Sequence, residues 1–303
     1  MSKTHLIIAG TNKAGTTSLF RYLADHPEVA PSHVKELRYF LNGNAQLESY
    51  LMHFTGDDRS LVFLEASPQY LDAGIATAQR IHSVLPQAKL LMLLRNPVDR
   101  LRSFFDSYKS RKDRLVEDMD FEQFAELAIA SDDQEHLSPH LIEFRRELHR
   151  GRYADHISTY LRVFKPEQLH ICFLDYLQSD AAGLVRQICQ FVGVDPAYFD
   201  DYEFTVENRT RLYRSSRLQS IAHKINADFE SYFNRHRRLK FWVRSLYTQL
   251  NESKSATRQL IRLPILENYY KTCNQELGKI LDQHYPEIRQ PLWLRPPDSS
   301  KDS

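Results

Sequence analysis

A short apolar run ending in glycine, followed five residues later by a second glycine and a hydroxyl-rich helix start, restricts the fold of this chain more than any other feature. Residues 5–9 (His-Leu-Ile-Ile-Ala) read as a buried strand, Gly10-Thr-Asn-Lys-Ala-Gly15-Thr16-Thr17 follows, and Leu19, Tyr22 and Leu23 then recur at helical spacing before Pro27. Strand, two-glycine loop and helix in that order have the spacing of a phosphate-binding loop, GxxxxGK[ST]. Successive backbone N–H groups and the helix N-terminus make such a loop a cradle for an anion. Gly15 lets the backbone approach the anion closely, and Thr16, Thr17 and Ser18 add hydroxyl donors in the first turn. The candidate phosphate-binding residues are therefore Lys13, Ala14, Gly15, Thr16, Thr17 and Ser18. One position departs from a nucleotide kinase: Thr16 stands where the lysine belongs, and the loop's only lysine is Lys13.

Residues 61–65 and 89–94 read as further buried strands, residues 74–85 between them as a helix, and residues 169–174 as the last clear strand. Strands alternating with helices predict an α/β fold, a P-loop-like parallel sheet flanked by helices. The run at 90–94 delivers Arg95 to a strand end, where parallel sheets bind ligands, and a guanidinium suits bidentate phosphate capture. Ser103 follows eight residues later in the next helix, which has Pro97 in its first turn. Taken alone, Arg95 serves equally as one half of a surface ion pair, and Ser103 as a small packing residue. No strand ends in the aspartate that a magnesium-dependent NTPase needs.

Together the two motifs resemble a sulfotransferase using 3′-phosphoadenosine 5′-phosphosulfate (PAPS). Residues 13–19 (Lys-Ala-Gly-Thr-Thr-Ser-Leu) resemble that family's 5′-phosphosulfate loop, and Arg95 and Ser103, in the frame Arg-Asn-Pro-x-x-Arg-x-x-Ser, resemble its 3′-phosphate site. His26-Pro27-Glu28-Val29, Lys35-Glu36-Leu37-Arg38-Tyr39-Phe40, residues 65–70, Gly151-Arg152-Tyr153, Leu174-Asp175-Tyr176 and Phe191-Val192-Gly193-Val194 are similar to segments of the branch that includes heparan sulfate sulfotransferases and many bacterial homologues.

The resemblance implies sulfuryl transfer from PAPS, a co-substrate that needs no metal, to an acceptor hydroxyl or amine. It assigns Lys13 to the leaving phosphate oxygen and Glu36 to the acceptor proton, with partial burial expected to raise the Glu36 pKa. Without it, Glu36 reads as a surface carboxylate paired with Lys35 or Arg38. His33 is the alternative base, since other members of the family use histidine. His33, Lys35 and Glu65 are the acceptor-pocket candidates, although Glu65 equally reads as capping a turn. The heparan-type segment carries a lysine after that glutamate; here the position is Ala66. A small molecule, natural product or glycolipid made in the cytoplasm, in a bacterium, is therefore the expected acceptor. A P-loop kinase or NTPase, or a nucleotide-binding scaffold without catalysis, is the alternative.

Charge and length set the remaining bounds. With 40 Lys and Arg against 39 Asp and Glu, the 303-residue chain is neither a basic nucleic-acid coat nor an acidic tail. Its three cysteines are too few and too scattered for a disulfide framework, which suits a reducing compartment. No apolar run is long enough for a signal peptide or a membrane span. Residues 205–262 nevertheless hold 13 Lys and Arg against four Asp and Glu, a local +9 that leaves −8 for the rest of a chain totalling +1. This stretch, densest at 235–242, reads as a lid over the donor, as a contact for an acidic partner or membrane surface through residues 235–244, or as a solvated face. Residues 254–258 weakly resemble the loop that closes over the 3′-phosphate. The expected organisation is one domain over 1–303: an α/β donor-binding core at 5–205, a helical lid or acceptor-side extension at 206–290, and a flexible tail at 296–303.

Overall fold

Five parallel strands form one sheet in the order β2-β3-β1-β4-β5, with β1 spanning Thr4–Gly10, β2 Val29–Pro31, β3 Val62–Ala66, β4 Lys89–Leu94 and β5 Leu169–Phe173. The computed structural model describes residues 3–43, 45–110, 118–132, 134–205 and 263–295. Chain contacts separate one unit, residues 1–207 with 262–303, from a second, residues 208–261. The basic patch at 235–244, the 254–258 loop and the 296–303 tail lie outside the described residues.

Four of the strands fall where apolar runs predict them. The three-residue β2 was not legible: it is too short for a periodic signal, and Pro31 is admissible because β2 lies at the sheet edge. In the central strands almost every side chain is buried, as a parallel sheet covered on both faces requires. The period of two then sorts them. Ile7, Ala9, Leu90, Met92 and Leu94 join the apolar layer under α3 (Ile75–Val84) and α7 (Tyr153–Leu161). Leu6, Ile8, Leu91 and Leu93 join the layer under α1 (Thr16–Ala24) and α9 (Ala181–Val192).

A third apolar cluster joins α4 (Pro97–Lys109), α5 (Phe121–Ala130) and α6 (Pro139–His149) to the start of the long last helix, α10 (Pro264–His284). Helix α10 was expected as part of the 206–290 extension, but it packs along α7 in the same unit as the sheet. Its buried stripe is Leu266, Tyr270, Cys273, Leu277 and Leu281. Helices α2 (Leu47–Leu51) and α8 (Leu174–Ser179) are short connectors. Among the described residues no helix is long and apolar enough to cross a membrane.

Candidate active site at the carboxyl ends of three strands

The chain leaves β1 toward β2 on one side of the sheet and leaves β4 toward β5 on the other. Connections that part in this way open a crevice beyond the carboxyl ends of the two neighbouring strands. The 11–15 loop and Arg95 both lie at that point.

The loop's two glycines have separate physical reasons. Gly10 ends β1 against Leu71, where an added Cβ would lie 2.5 Å from the Leu71 Cβ. Gly15 holds φ +91°, a left-handed conformation that favours glycine, directly before α1. Lys13 adopts φ +68° without being glycine, the kind of backbone conformation that surrounding structure must hold in place. Part of that hold is visible: Arg95 Nη1 donates to the Lys13 carbonyl at 2.8 Å. The N-cap residue, Gly15, has no side chain to occupy the first-turn N–H groups of α1, as suits an anion site. Ala14, Thr16 and Ser18 are buried and Thr17 is half-buried; Ser18 hydrogen-bonds to Tyr22. These residues fit a phosphosulfate group: a tight backbone cradle, one lysine inside it and hydroxyls in the first helical turn.

Arg95 is 5% exposed, so its guanidinium is a buried group and not a surface one. Its own carbonyl accepts from the Tyr153 hydroxyl at 2.8 Å, which fixes the strand end from α7. The next two residues start a helix. Asn96 Oδ1 accepts from the Val98 and Asp99 N–H groups at 2.9 and 3.3 Å, and Pro97 occupies the first helical position. The Arg-Asn-Pro triplet thus combines a cation, a cap and a helix start. Ser103 is buried on α4, and Arg100, three residues before it, is fully buried against Glu147 of α6.

Glu36 stands beside the end of β3, its N–H donating to the Ala66 carbonyl at 2.8 Å. Since β3 pairs with β1 and β1 with β4, Glu36, Lys13 and Arg95 lie at three adjacent strand ends. The Glu36 carboxylate accepts from Lys35 Nζ at 2.9 Å, Arg38 Nη2 at 3.0 Å and Gln69 Nε2 at 3.0 Å. Here the sequence expectation is corrected. Burial does push the Glu36 pKa up, but hydrogen bonds from Gln69, Lys35 and Arg38 and the Lys35 charge outweigh it, and the carboxyl is lowered to about 2. The pairing foreseen with Lys35 and Arg38 is present, and Gln69, which was not anticipated, completes it. Glu36 and Arg38 also hold left-handed backbone, φ +66° and +55°.

The other acceptor-pocket candidates separate. Lys35 joins the Glu36 cluster. His33 is exposed and its ring bonds the Thr55 hydroxyl at 2.9 Å. Glu65 does not line an open pocket: it is 0% exposed, and its carboxylate is enclosed by the hydroxyls of Tyr50, Ser67 and Tyr70. Ala66, where the heparan-type segment carries lysine, is buried as well.

Comparisons with known proteins agree with this arrangement. The family model for the sulfotransferase domain matches residues 3–253. The chain is 30% identical over 307 aligned residues to the bifunctional heparan sulfate N-deacetylase/N-sulfotransferase 4 of Mus musculus, covering 95% of this chain and 31% of that protein. It is 27% identical over 198 residues to the corresponding enzyme 1 of Homo sapiens, covering 62% of this chain and 22% of that one. The chain therefore spans less than a third of the length of these relatives. Among solved structures, a sulfotransferase from Alicyclobacillus acidocaldarius superposes with a TM-score of 0.51 at 25% identity, over 79% of this chain and 96% of that one. With the family match running through the cradle, the arginine strand end and the Glu36 segment, the chain belongs to the PAPS-dependent sulfotransferase family.

Proposed function

We propose that this protein transfers the sulfuryl group of PAPS to a hydroxyl or amine of a small molecule, natural product or glycolipid. The observation that carries the reading is the junction of the two phosphate motifs, in which Arg95, directly after β4, holds the backbone of Lys13 after β1. One guanidinium thereby braces the loop that would bind the 5′-phosphosulfate while lying at the strand end that would bind the 3′-phosphate.

The roles follow from charge. In-line sulfuryl transfer resembles phosphoryl transfer, with a loose transition state and negative charge growing on the leaving oxygen. The loop N–H groups with Thr16 and Thr17 hold the 5′-phosphate in place. Lys13 supplies positive charge at the oxygen from which sulfur departs, the service a metal ion gives in a kinase. Arg95 and Ser103 bind the 3′-phosphate. Glu36 takes the proton of the acceptor as its oxygen or nitrogen bonds to sulfur, and the electron pair of the broken S–O bond stays on the phosphate. The products are a sulfate ester or sulfamate and adenosine 3′,5′-bisphosphate. A carboxylate held at about 2 is ionised throughout the working pH range but is a weak proton acceptor. An acceptor that displaces Lys35 or Arg38 from Glu36 would restore its basicity when it is needed.

Two observations support an acceptor other than a polyanionic glycan made outside the cytoplasm. Ala66 is buried where a glycan-binding lysine would stand, and all three cysteines are buried free thiols, as a reducing compartment allows. The relatives named for N-sulfation keep an amine acceptor in view. A screen of candidate alcohols, phenols and amines with labelled PAPS tests the reading. Label transfer that Glu36→Gln abolishes is the expected result; transfer that Glu36→Gln leaves intact removes Glu36 from the reaction.

A further inference from the structure

Glu65 is a buried carboxylate that is closed off from solvent and, among the described residues, meets no cation. Three hydroxyls donate to it: Tyr50 at 2.9 Å on one oxygen, and Ser67 at 2.7 Å and Tyr70 at 2.6 Å on the other. All three donors are 0% exposed. Two of them do more than satisfy the carboxylate. The Ser67 oxygen accepts from the Arg38 N–H at 2.9 Å, and the Tyr70 oxygen accepts from the Phe40 N–H at 3.2 Å. Tyr50 makes no such second bond among the described contacts.

The direction of these bonds is fixed. A hydroxyl that gives its proton to a carboxylate becomes a stronger acceptor for a second donor. Glu65 thereby orients Ser67 and Tyr70 so that their lone pairs face the 38–40 backbone. The 36–40 loop contains two non-glycine residues in left-handed conformation, Glu36 and Arg38, which persist only where the surroundings over-determine them. Arg38 in turn donates to the Glu36 carboxylate. The path runs from Glu65 through Ser67 to the Arg38 backbone, and from the Arg38 side chain to Glu36.

We propose that Glu65 is a positioning residue which, acting through Ser67 and Tyr70, holds the 36–40 loop so that the Glu36 carboxylate keeps its orientation at the strand end. The catalytic meaning rests on Glu36 being the base; the positioning itself does not. Among the described residues, Lys35, Arg38 and the Gln69 amide face Glu36, and Tyr50, Ser67 and Tyr70 face Glu65.

The three hydroxyls give the test its own control. Tyr50→Phe removes one bond to Glu65 and nothing from the loop, whereas Ser67→Ala and Tyr70→Phe each remove a bond to Glu65 and a bond to the loop. The Glu36 carboxyl resonance, assigned by its loss in Glu36→Gln, is followed by carbon NMR against pH, together with amide exchange at Arg38 and Phe40. Wild type and Tyr50→Phe should show no Glu36 titration above about pH 4, as the lowered value requires. Ser67→Ala and Tyr70→Phe should bring a midpoint into the range above it and speed exchange at the amide each releases by about tenfold or more. Positioning is overturned if Ser67→Ala and Tyr70→Phe behave as wild type, or if Tyr50→Phe moves the Glu36 midpoint as far as they do. Glu65→Gln, if it folds, should reproduce the Ser67→Ala titration; a wild-type titration in that variant also overturns it. None of these readouts requires turnover, so they stand apart from the test of Glu36 as base by label transfer.

Discussion

Glu147 lies between two arginines inside the protein, and replacing it should cost more stability than any surface charge. Its carboxylate accepts from Arg100 Nη1 at 2.9 Å on one oxygen and from Arg150 on the other. The Arg100 side chain is 0% exposed and that of Glu147 is 4% exposed. Arg150, 13% exposed, continues to Asp72 at 2.8 Å. In Glu147→Gln the Arg100 guanidinium loses its counter-charge where water cannot replace it. Breaking a buried pair in this way costs about 3–5 kcal/mol. Against a typical total of about 5–15 kcal/mol, that is about a fifth or more of the stability. The paired change Arg100→Met with Glu147→Leu removes both charges and should recover most of the loss, leaving Arg150 with Asp72. Urea unfolding at pH 7 should show the single variant's midpoint falling steeply, the double variant's much less, and little response of the difference to salt, since the pair is buried. A Glu147→Gln loss below about 1 kcal/mol, the range of exposed ion pairs, would refute the argument.

Three further outcomes follow from the same structure. Gly10→Ala should destabilise by about 1–3 kcal/mol through overpacking against Leu71, and Leu71→Gly, which removes the Cβ that an added methyl would meet, should reduce that penalty when the two are combined, as a double-mutant cycle in urea would show. Burial lowers His170 to about 4. Its contribution is therefore whole above the unfolded value near 6.5 and lost as pH falls toward 4, and His170→Phe should flatten the stability profile across that window by up to roughly 3 kcal/mol. Glu36 works in the same sense but lower. Its lowered carboxyl contributes stability that is present above about 4.5 and lost as pH falls toward 2, so wild type and Glu36→Gln should converge in stability on acidification.

The sheet was legible because its strands are buried on both faces and read as apolar runs bounded by glycine or by Arg-Asn-Pro. The cradle was legible because its geometry depends on residue types, glycine at φ +91° and hydroxyls in a first helical turn, that stand in a fixed frame. Lys13, Arg95 and Glu36 therefore came from sequence alone, the last by family resemblance. The surroundings of Glu36 did not. Gln69 is 33 residues from Glu36, and nothing in local spacing announces that the turn after β3 folds over the 36–40 loop. Partial burial by itself predicts a raised carboxyl, and only the three donors seen together reverse the sign. Glu65 was left open between a pocket wall and a turn cap for a related reason. A glutamate at a strand end reads as facing a cleft, but the Ser-Pro-Gln-Tyr turn that follows brings two hydroxyls back over it. Tyr153, whose hydroxyl holds the Arg95 carbonyl, was visible within Gly-Arg-Tyr, but its partner was not.

The central claim is that one crevice binds both ends of a bisphosphorylated adenosine without a metal. Calorimetric titration with adenosine 3′,5′-bisphosphate in the absence of magnesium, with ATP as control and with Arg95→Ala and Lys13→Ala alongside, tests it most directly. The bisphosphate should bind tightly and ATP more weakly, and Arg95→Ala should lose about tenfold or more in affinity, as removal of a charged hydrogen-bonding partner implies. Absence of binding, or a preference for ATP with magnesium that survives Arg95→Ala, would contradict it.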